Sequence, residues 1–319
     1  MNGKRLSYCG PPPRAIHWNV SLPWIADCGL ILFFLLCLVL TNPLSAQQTS
    51  SSTVEYKTLY SKALKQEKRC AVYLPAGYAT SNTRYPVLYF LHGLFESERR
   101  WEQHGVNSIV DSLIAAGAIQ QMIIAIPEAD NSFYTNAIGG GAAYEDYIIT
   151  DVLSFIDATY RTRPARSFRA ISGISMGGYG ALKLAMRHPD LFSSASAHSA
   201  MLLPVPLDQL PPPLRASFQS QFFEAVFGKP VDEAYWAQHD PIALAERTKD
   251  LERVAWYFDC GTEDRFGFDK GATKLHQVFE RAGVPHEYHL FPGGHGWEYM
   301  KTTVHRSLRF HSTRFSQSP

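Results

Sequence analysis

The sequence predicts an α/β domain built on a mostly parallel sheet with helices on both faces. From about residue 55 onward, short apolar runs alternate with amphipathic stretches. Strand followed by helix, repeated, is the pattern of parallel strands joined by helical crossovers. A glycine-rich segment, GISMGGYG, links a short β-rich run to a good helix-former. The length of 319 residues and the 45% hydrophobic content are ample for one large core.

The elements follow in order. RCAVYLP and YPVLYFLHG read as strands, and VNSIVDSLIAAG as a helix stopped by Gly117. MIIAIPEAD is a buried strand entering an Asn- and Gly-rich loop. AYEDYIITDVLSFIDATY is a helix with Ile148, Val152, Phe155 and Ile156 on one face. SFRAISG is a short strand, and a helix begins near Met176. FSSASAHS and VAWYFDCG are further strands. KGATKLHQVFERAG is a helix, HEYHLFP the last strand, and GWEYMKTTVHRSLRFH a closing helix.

Two regions stand outside this rhythm. Residues 201–250 are long, proline-punctuated and partly helical, and are expected to form a cap-like insertion between two core strands. Phe222, Phe223, Phe227 and Trp236 give it more apolar surface than an idle loop carries. At the other end, Lys4, Arg5 and Arg14 precede the apolar run GLILFFLLCLVL and small residues near Ser45 and Ala46. This reads as a signal peptide over residues 1–46, hence a chain exported to the periplasm or the extracellular space. The run is short for a span of about 20 residues. An uncleaved N-terminal membrane anchor is the alternative. Residues 47–54 are expected to be a flexible linker, and 55–312 the folded domain.

Composition excludes some classes. The formal charge is +1 and the pI about 7.7, so nothing calls for a nucleic-acid partner. Cys70 and Cys260 are the cysteines left beyond the leader, and both read as buried free thiols, with a disulfide open in an oxidising compartment. No cysteine spacing suggests a metal, and no cofactor is implied.

The candidate chemistry centres on Gly173-Ile174-Ser175-Met176-Gly177, a G-x-S-x-G between FRAIS and YGALKLAMRH. In a nucleophile elbow the serine sits on a sharp strand-to-helix turn, and the flanking glycines leave room for the turn to close. The helix N-terminus then favours developing negative charge. Serine needs a base and the base an orienting acid, in the chain order Ser, acid, His for this topology. His295, in the loop FPGGHGWEY after the last strand, is the expected base. His276, His286, His289, His305 and His311 fall on helices or strands and are read as surface or packing residues. The acid is expected in GTEDRFGFD, with Asp264 preferred, Glu263 its main rival and Asp259 the next. Two backbone N–H groups should form the oxyanion hole, those of Met176 and Leu94. His92 is read as structural, holding the turn with Gly93.

With these residues in place, the chain resembles the esterase D family of α/β-hydrolases. That group includes tributyrin, feruloyl and acetylxylan esterases, S-formylglutathione hydrolases and mycolyltransferases. VYLPAGY, YPVLYFLHG with Trp101 following, YEDYIITDVLSFID, GISMGGYGALKLAMRHPDLF, DCGTED and GGHGWEY carry the resemblance over about residues 55–310. It implies the α/β-hydrolase fold, Ser175, Asp264 and His295 as the catalytic set, and Leu94 and Met176 as oxyanion donors. One departure is Phe95-Glu96, where relatives often have small residues and glycine; a bulkier, charged pocket floor is expected. The implied activity is a secreted serine carboxylesterase acting on short-chain acyl or aryl esters, free or polysaccharide-linked. The alternatives are an acyltransferase using a sugar or lipid hydroxyl, and a catalytically silent binding module. S-formylglutathione is a cytosolic substrate and is disfavoured by the exported leader.

Overall fold

The computed structural model describes residues 51–217 and 220–316. The expected leader, its anchor alternative and the first part of the expected linker lie outside them. Eight strands form one sheet: β1 Thr53–Ser61, β2 Gln66–Leu74, β3 Val87–Leu91, β4 Ile123–Pro127, β5 Arg169–Ile174, β6 Ser194–His198, β7 Ala255–Gly261 and β8 His286–Phe291. Their spatial order is β1-β2-β4-β3-β5-β6-β7-β8. The strands from β4 to β8 in that order are parallel, while β1 and β2 are antiparallel additions at one edge. The mostly parallel α/β-hydrolase sheet expected from the sequence is what forms.

The central strands are buried along their whole length, VLYFL and IIAIP without an exposed residue. Side chains alternate across the sheet and feed two cores. Val87, Tyr89 and Leu91 of β3 face a large core with the helices Met176–Arg187 and Phe268–Ala282 and a helical stretch over residues 144–159. Leu88 and Phe90 face a smaller one with the helices Val106–Ala115 and Trp297–Ser316. In residues 144–159, Ile148, Val152 and Ile156 are fully buried and Phe155 is partly so, matching the expected face. Its middle, Tyr147–Val152, is a π-helix.

Two boundaries differ from expectation. The polar start does not remain a linker: Thr53 already pairs with Leu74, and Ser52 Oγ donates to Asp111. β1 was not legible because its pattern is that of a half-exposed edge strand, with Leu59 and Ser61 the residues it buries. Its backbone partners lie in β2, which local composition cannot announce. At the far end the closing helix continues past residue 312 to Ser316.

The insertion between β6 and β7 carries the short helices Gln221–Phe227, Glu233–His239 and Pro241–Arg247. Asp240 caps the last of these by accepting from the Ala243 N–H, with Pro241 at its first position. The expected apolar cap surface divides in two. Phe223, Phe227 and Trp236 are buried, with Phe223 stacked on Phe133 at 4.7 Å and Trp236 against Tyr179 at 5.7 Å. Phe222 stays half-buried and meets Phe95 edge-on at 4.7 Å. Cys70 and Cys260 are both buried and free. No helix among the described residues is long and apolar enough to cross a membrane.

Candidate active site

The C-terminal ends of parallel strands in such sheets open a common crevice where loops diverge. Here β3, β5, β7 and β8 lead into the loops that carry Leu94, Ser175, Asp264 and His295. All four line one cleft of about 1220 Å³, together with Met176 and Glu96.

Ser175 sits at φ 55° and ψ −117°, between β5 and the helix that starts at Met176. Such a conformation costs a non-glycine residue on the order of 1–3 kcal/mol and persists because the surroundings impose it. Ser175 N–H donates to the His198 carbonyl at 3.0 Å, and its own carbonyl accepts from Tyr179 and Met201 N–H. The flanking glycines are steric requirements. A Cβ on Gly173 would meet the Gly177 carbonyl at 2.3 Å, and one on Gly177 would meet the Leu91 carbonyl oxygen at 1.9 Å. The helix therefore starts against the end of β3 with only hydrogens between the backbones.

His295 and Asp264 converge on the serine. His295 Nε2 lies 3.0 Å from Ser175 Oγ, and His295 Nδ1 lies 2.8 Å from Asp264 Oδ2. The two loops that bring them are zipped together: Thr262 and Glu263 N–H donate to the Phe291 and Gly293 carbonyls. Asp264 also accepts from the Phe266 N–H at 2.9 Å and the Cys260 thiol at 3.4 Å. Burial alone would raise its carboxyl. The hydrogen bond and charge of His295, with the Phe266 N–H and the Cys260 thiol, hold it below its ordinary value. Phe266 and Phe268 meet the His295 ring edge-on at 4.9 and 5.5 Å and limit its rotation.

The rival acids are elsewhere. Glu263 is exposed, and its backbone rather than its carboxylate engages the histidine loop. Asp259 is buried inside the sheet, where His198, Tyr257 and Tyr299 hold it. Sequence could not separate these three, because the turn Gly261–Asp264 decides which carboxylate points to His295.

The Leu94 loop shows a pattern no motif announced. Gly93 N–H donates to Glu96 Oε2 at 3.0 Å, and Phe95 N–H donates to Asn131 Oδ1 at 2.7 Å. Leu94 N–H, between them, has no hydrogen-bond partner among the described residues. Met176 is the first residue of its helix, where N–H groups have no intrahelical acceptor. Two donors thus remain free at the serine. Phe95 and Glu96 line the cleft, as the bulkier, charged floor expected of them, and Glu96 is also tied down. Its other oxygen accepts from Trp297 Nε1 at 2.7 Å, so the carboxylate ties the Leu94 loop to the helix just after His295. His92 is structural, as expected: Nδ1 donates to the Gly93 carbonyl and Nε2 accepts from the Ala129 N–H, with the ring fully buried. Burial pushes its imidazole below the usual range, keeping it neutral.

One wall of the cleft comes from the insertion, through Met201, Leu203, Val205, Leu210 and Phe222. Phe95 and Phe266 stand exposed at its rim.

Comparison with known proteins gives the chain its family. An esterase of Mycobacterium tuberculosis is 30% identical over 253 residues, covering 70% of this chain and 51% of that protein. This chain thus spans about half the length of that curated relative. A solved ferulic acid esterase superposes with a TM-score of 0.71 at 31% identity, covering 83% of this chain and 99% of its own. An S-formylglutathione hydrolase from Staphylococcus aureus, 22% identical with a TM-score of 0.66, covers 82% of this chain and 100% of its own and shares the fold. Residues 61–311 match the family described as "Putative esterase", and the chain is a member of that esterase family.

Proposed function

We propose that this esterase is an exported serine carboxylesterase that cleaves short-chain acyl or aryl esters through an acyl-enzyme on Ser175. The observation that carries the reading is the relay at the cleft, Ser175 Oγ to His295 Nε2 and His295 Nδ1 to Asp264, beside two unengaged backbone N–H groups.

In the proposed mechanism Ser175 Oγ attacks the ester carbonyl carbon as His295 Nε2 takes its proton. The carbonyl electrons move to oxygen, where Leu94 and Met176 N–H stabilise the negative charge. Collapse expels the alkoxide, which leaves as alcohol with the proton from His295. Water, activated by His295, then releases the acid and restores Ser175. Asp264, ionised at neutral pH, keeps the imidazole in the tautomer with a lone pair towards the serine. The helix N-terminus behind Ser175 adds to the stabilisation.

Substrate class is read from the walls. Phe95, Phe222, Phe223, Phe266 and Phe268 line the cleft, a surface suited to an aromatic or short aliphatic acyl group. The likeness to a ferulic acid esterase supports aryl esters, free or attached to a polysaccharide. Export rests on the basic, apolar and small-residue order of residues 1–46.

The test compares p-nitrophenyl acetate, butyrate and octanoate with methyl ferulate, using the protein and its Ser175→Ala variant. Hydrolysis lost in the variant, with Ser175 labelled by a phosphonate, supports the reading. No turnover of any ester and no label overturns it in favour of a silent binding module. Predominant transfer to an added sugar or lipid alcohol over water would replace hydrolase with acyltransferase.

A further inference from the structure

We infer that His276, Glu280 and His286, on the helix and strand between the Asp264 and His295 loops, form a binding site for a zinc-class divalent cation. His276 and Glu280 are four residues apart on the helix Phe268–Ala282, so they share one face. His286 opens β8, the edge strand that follows this helix after the turn at Gly283. One ligand atom from each of the three lies within 4.8 Å of the others. His276 Nδ1 and His286 Nε2 face each other at 2.8 Å.

Both rings are positioned before any ion arrives. His286 Nδ1 donates to the Val284 carbonyl at 2.7 Å, which leaves Nε2 as the lone-pair nitrogen. A backbone carbonyl on the second nitrogen is the usual partner of a metal-bound imidazole. The His286 ring lies parallel to Phe258 at 5.6 Å and edge-on to Phe279 at 5.1 Å. The His276 ring stacks on Tyr288 at 4.5 Å, and the Tyr288 hydroxyl is fixed by Thr273 Oγ1 at 2.7 Å. Glu280 is exposed and leaves the site open to solvent. Two imidazole nitrogens and one carboxylate oxygen, with water as a fourth ligand, form a donor set that suits Zn²⁺. Mg²⁺ and Ca²⁺ favour oxygen ligands and would be refused. The ion would staple the edge strand to the helix behind it. The sequence showed two histidines on different elements and gave no reason to join them.

The test uses the full chain without any affinity tag, stripped with EDTA and titrated calorimetrically with Zn²⁺ and separately with Mg²⁺. His276→Gln, Glu280→Gln and a His276→Gln/His286→Gln double variant run alongside, and ester hydrolysis confirms that each is folded. One Zn²⁺ per chain is expected, with affinity at least tenfold weaker in each single variant and abolished in the double. At a hundredfold excess over Kd, Zn²⁺ should raise Tm by about 5 °C in the parent and not in the double variant. Absence of zinc binding overturns the site. So does binding that Mg²⁺ matches, or binding that the single variants weaken less than tenfold, as zinc held at His295 would give. Glu280→Gln changes an exposed helix residue, so its result does not depend on tolerance of the core.

Discussion

Among the described residues, Ser175 and Ser307 each face a histidine that in turn faces an aspartate. In the cleft the order is Ser175, His295, Asp264, with separations of 3.0 and 2.8 Å. Inside the protein it is Ser307, His198, Asp259, with separations of 2.9 and 3.0 Å. The distances are nearly the same, so distance does not distinguish the proposed nucleophile from a serine packed in the core. Three other things do. Ser307 is buried in the middle of a helix, where backbone N–H groups are already used, while Ser175 stands on a strained turn beside two free ones. Ser307 Oγ also bonds the Val304 carbonyl. And Asp259 is shared with the Tyr257 and Tyr299 hydroxyls, which makes it the hub of a packing network. A Ser–His–Asp relay becomes catalytic where an ester carbonyl can reach it and its oxyanion can be met.

The most direct way to break this contrast is to remove each hydroxyl. Ser175→Ala should lower kcat by about 10⁶-fold, the scale of losing a serine nucleophile. Ser307→Ala should keep kcat within about threefold and show its effect in thermal unfolding alone. Equal losses of kcat would end the distinction. The acids come next. Asp264→Asn should lower kcat by about 10⁴-fold by turning His295 to the wrong tautomer. Asp259→Asn should leave the rate nearly intact and cost about 1–3 kcal/mol of stability in urea titrations, because it disturbs three buried partners.

A smaller effect tests the free N–H. Glu96→Ala and Asn131→Ala each release one side of the Leu94 loop. Each should reduce kcat by roughly 10- to 100-fold with KM little changed, less than the loss of a whole oxyanion donor. A change confined to KM would mean that these residues shape the cleft rather than hold the donor.

The smallest effect is one of pH. His311 bridges Ser194 and Ser196 beside the inner relay, and burial followed by the neighbouring His198 pushes its imidazole down to about 3. Between that value and about 6.5 the unfolded chain binds a proton that the folded chain refuses, so stability falls as pH drops through this window. Asp264 runs on a lower window. Its carboxyl is held below the ordinary 3.8, so its contribution is present above that value and lost as pH falls further. Urea midpoints measured from pH 7 to 3 should fall, and His311→Gln should flatten the upper part of the fall without touching the lower.

What the sequence revealed depended on how local the cause was. Gly173 and Gly177 were readable because the clashes they avoid arise within one strand–turn–helix and the end of the neighbouring strand. His295 was readable from chain order and its place after the last strand. Asp264 could be narrowed to a short stretch and no further, since one turn separates it from exposed Glu263. Glu96 was readable as a charge at the cleft but not as a tie, because its partners, Gly93 N–H and Trp297 Nε1, sit 3 and 201 residues away. The inner relay, the edge strand β1 and the division of the insertion's aromatics were invisible for the same reason. Each is defined by contacts between elements that composition describes one at a time.

The insertion between β6 and β7 supplies a wall of the cleft but none of the polar atoms of the relay. Part of the cleft surface, though not Phe95, Phe266 or Phe268, is therefore encoded apart from the proposed relay. Substitutions at Leu203, Val205, Leu210 or Phe222 can be sampled in combination without touching Ser175, Asp264 or His295. That makes residues 201–222 the place to build a mutant library when a new ester is wanted from this scaffold.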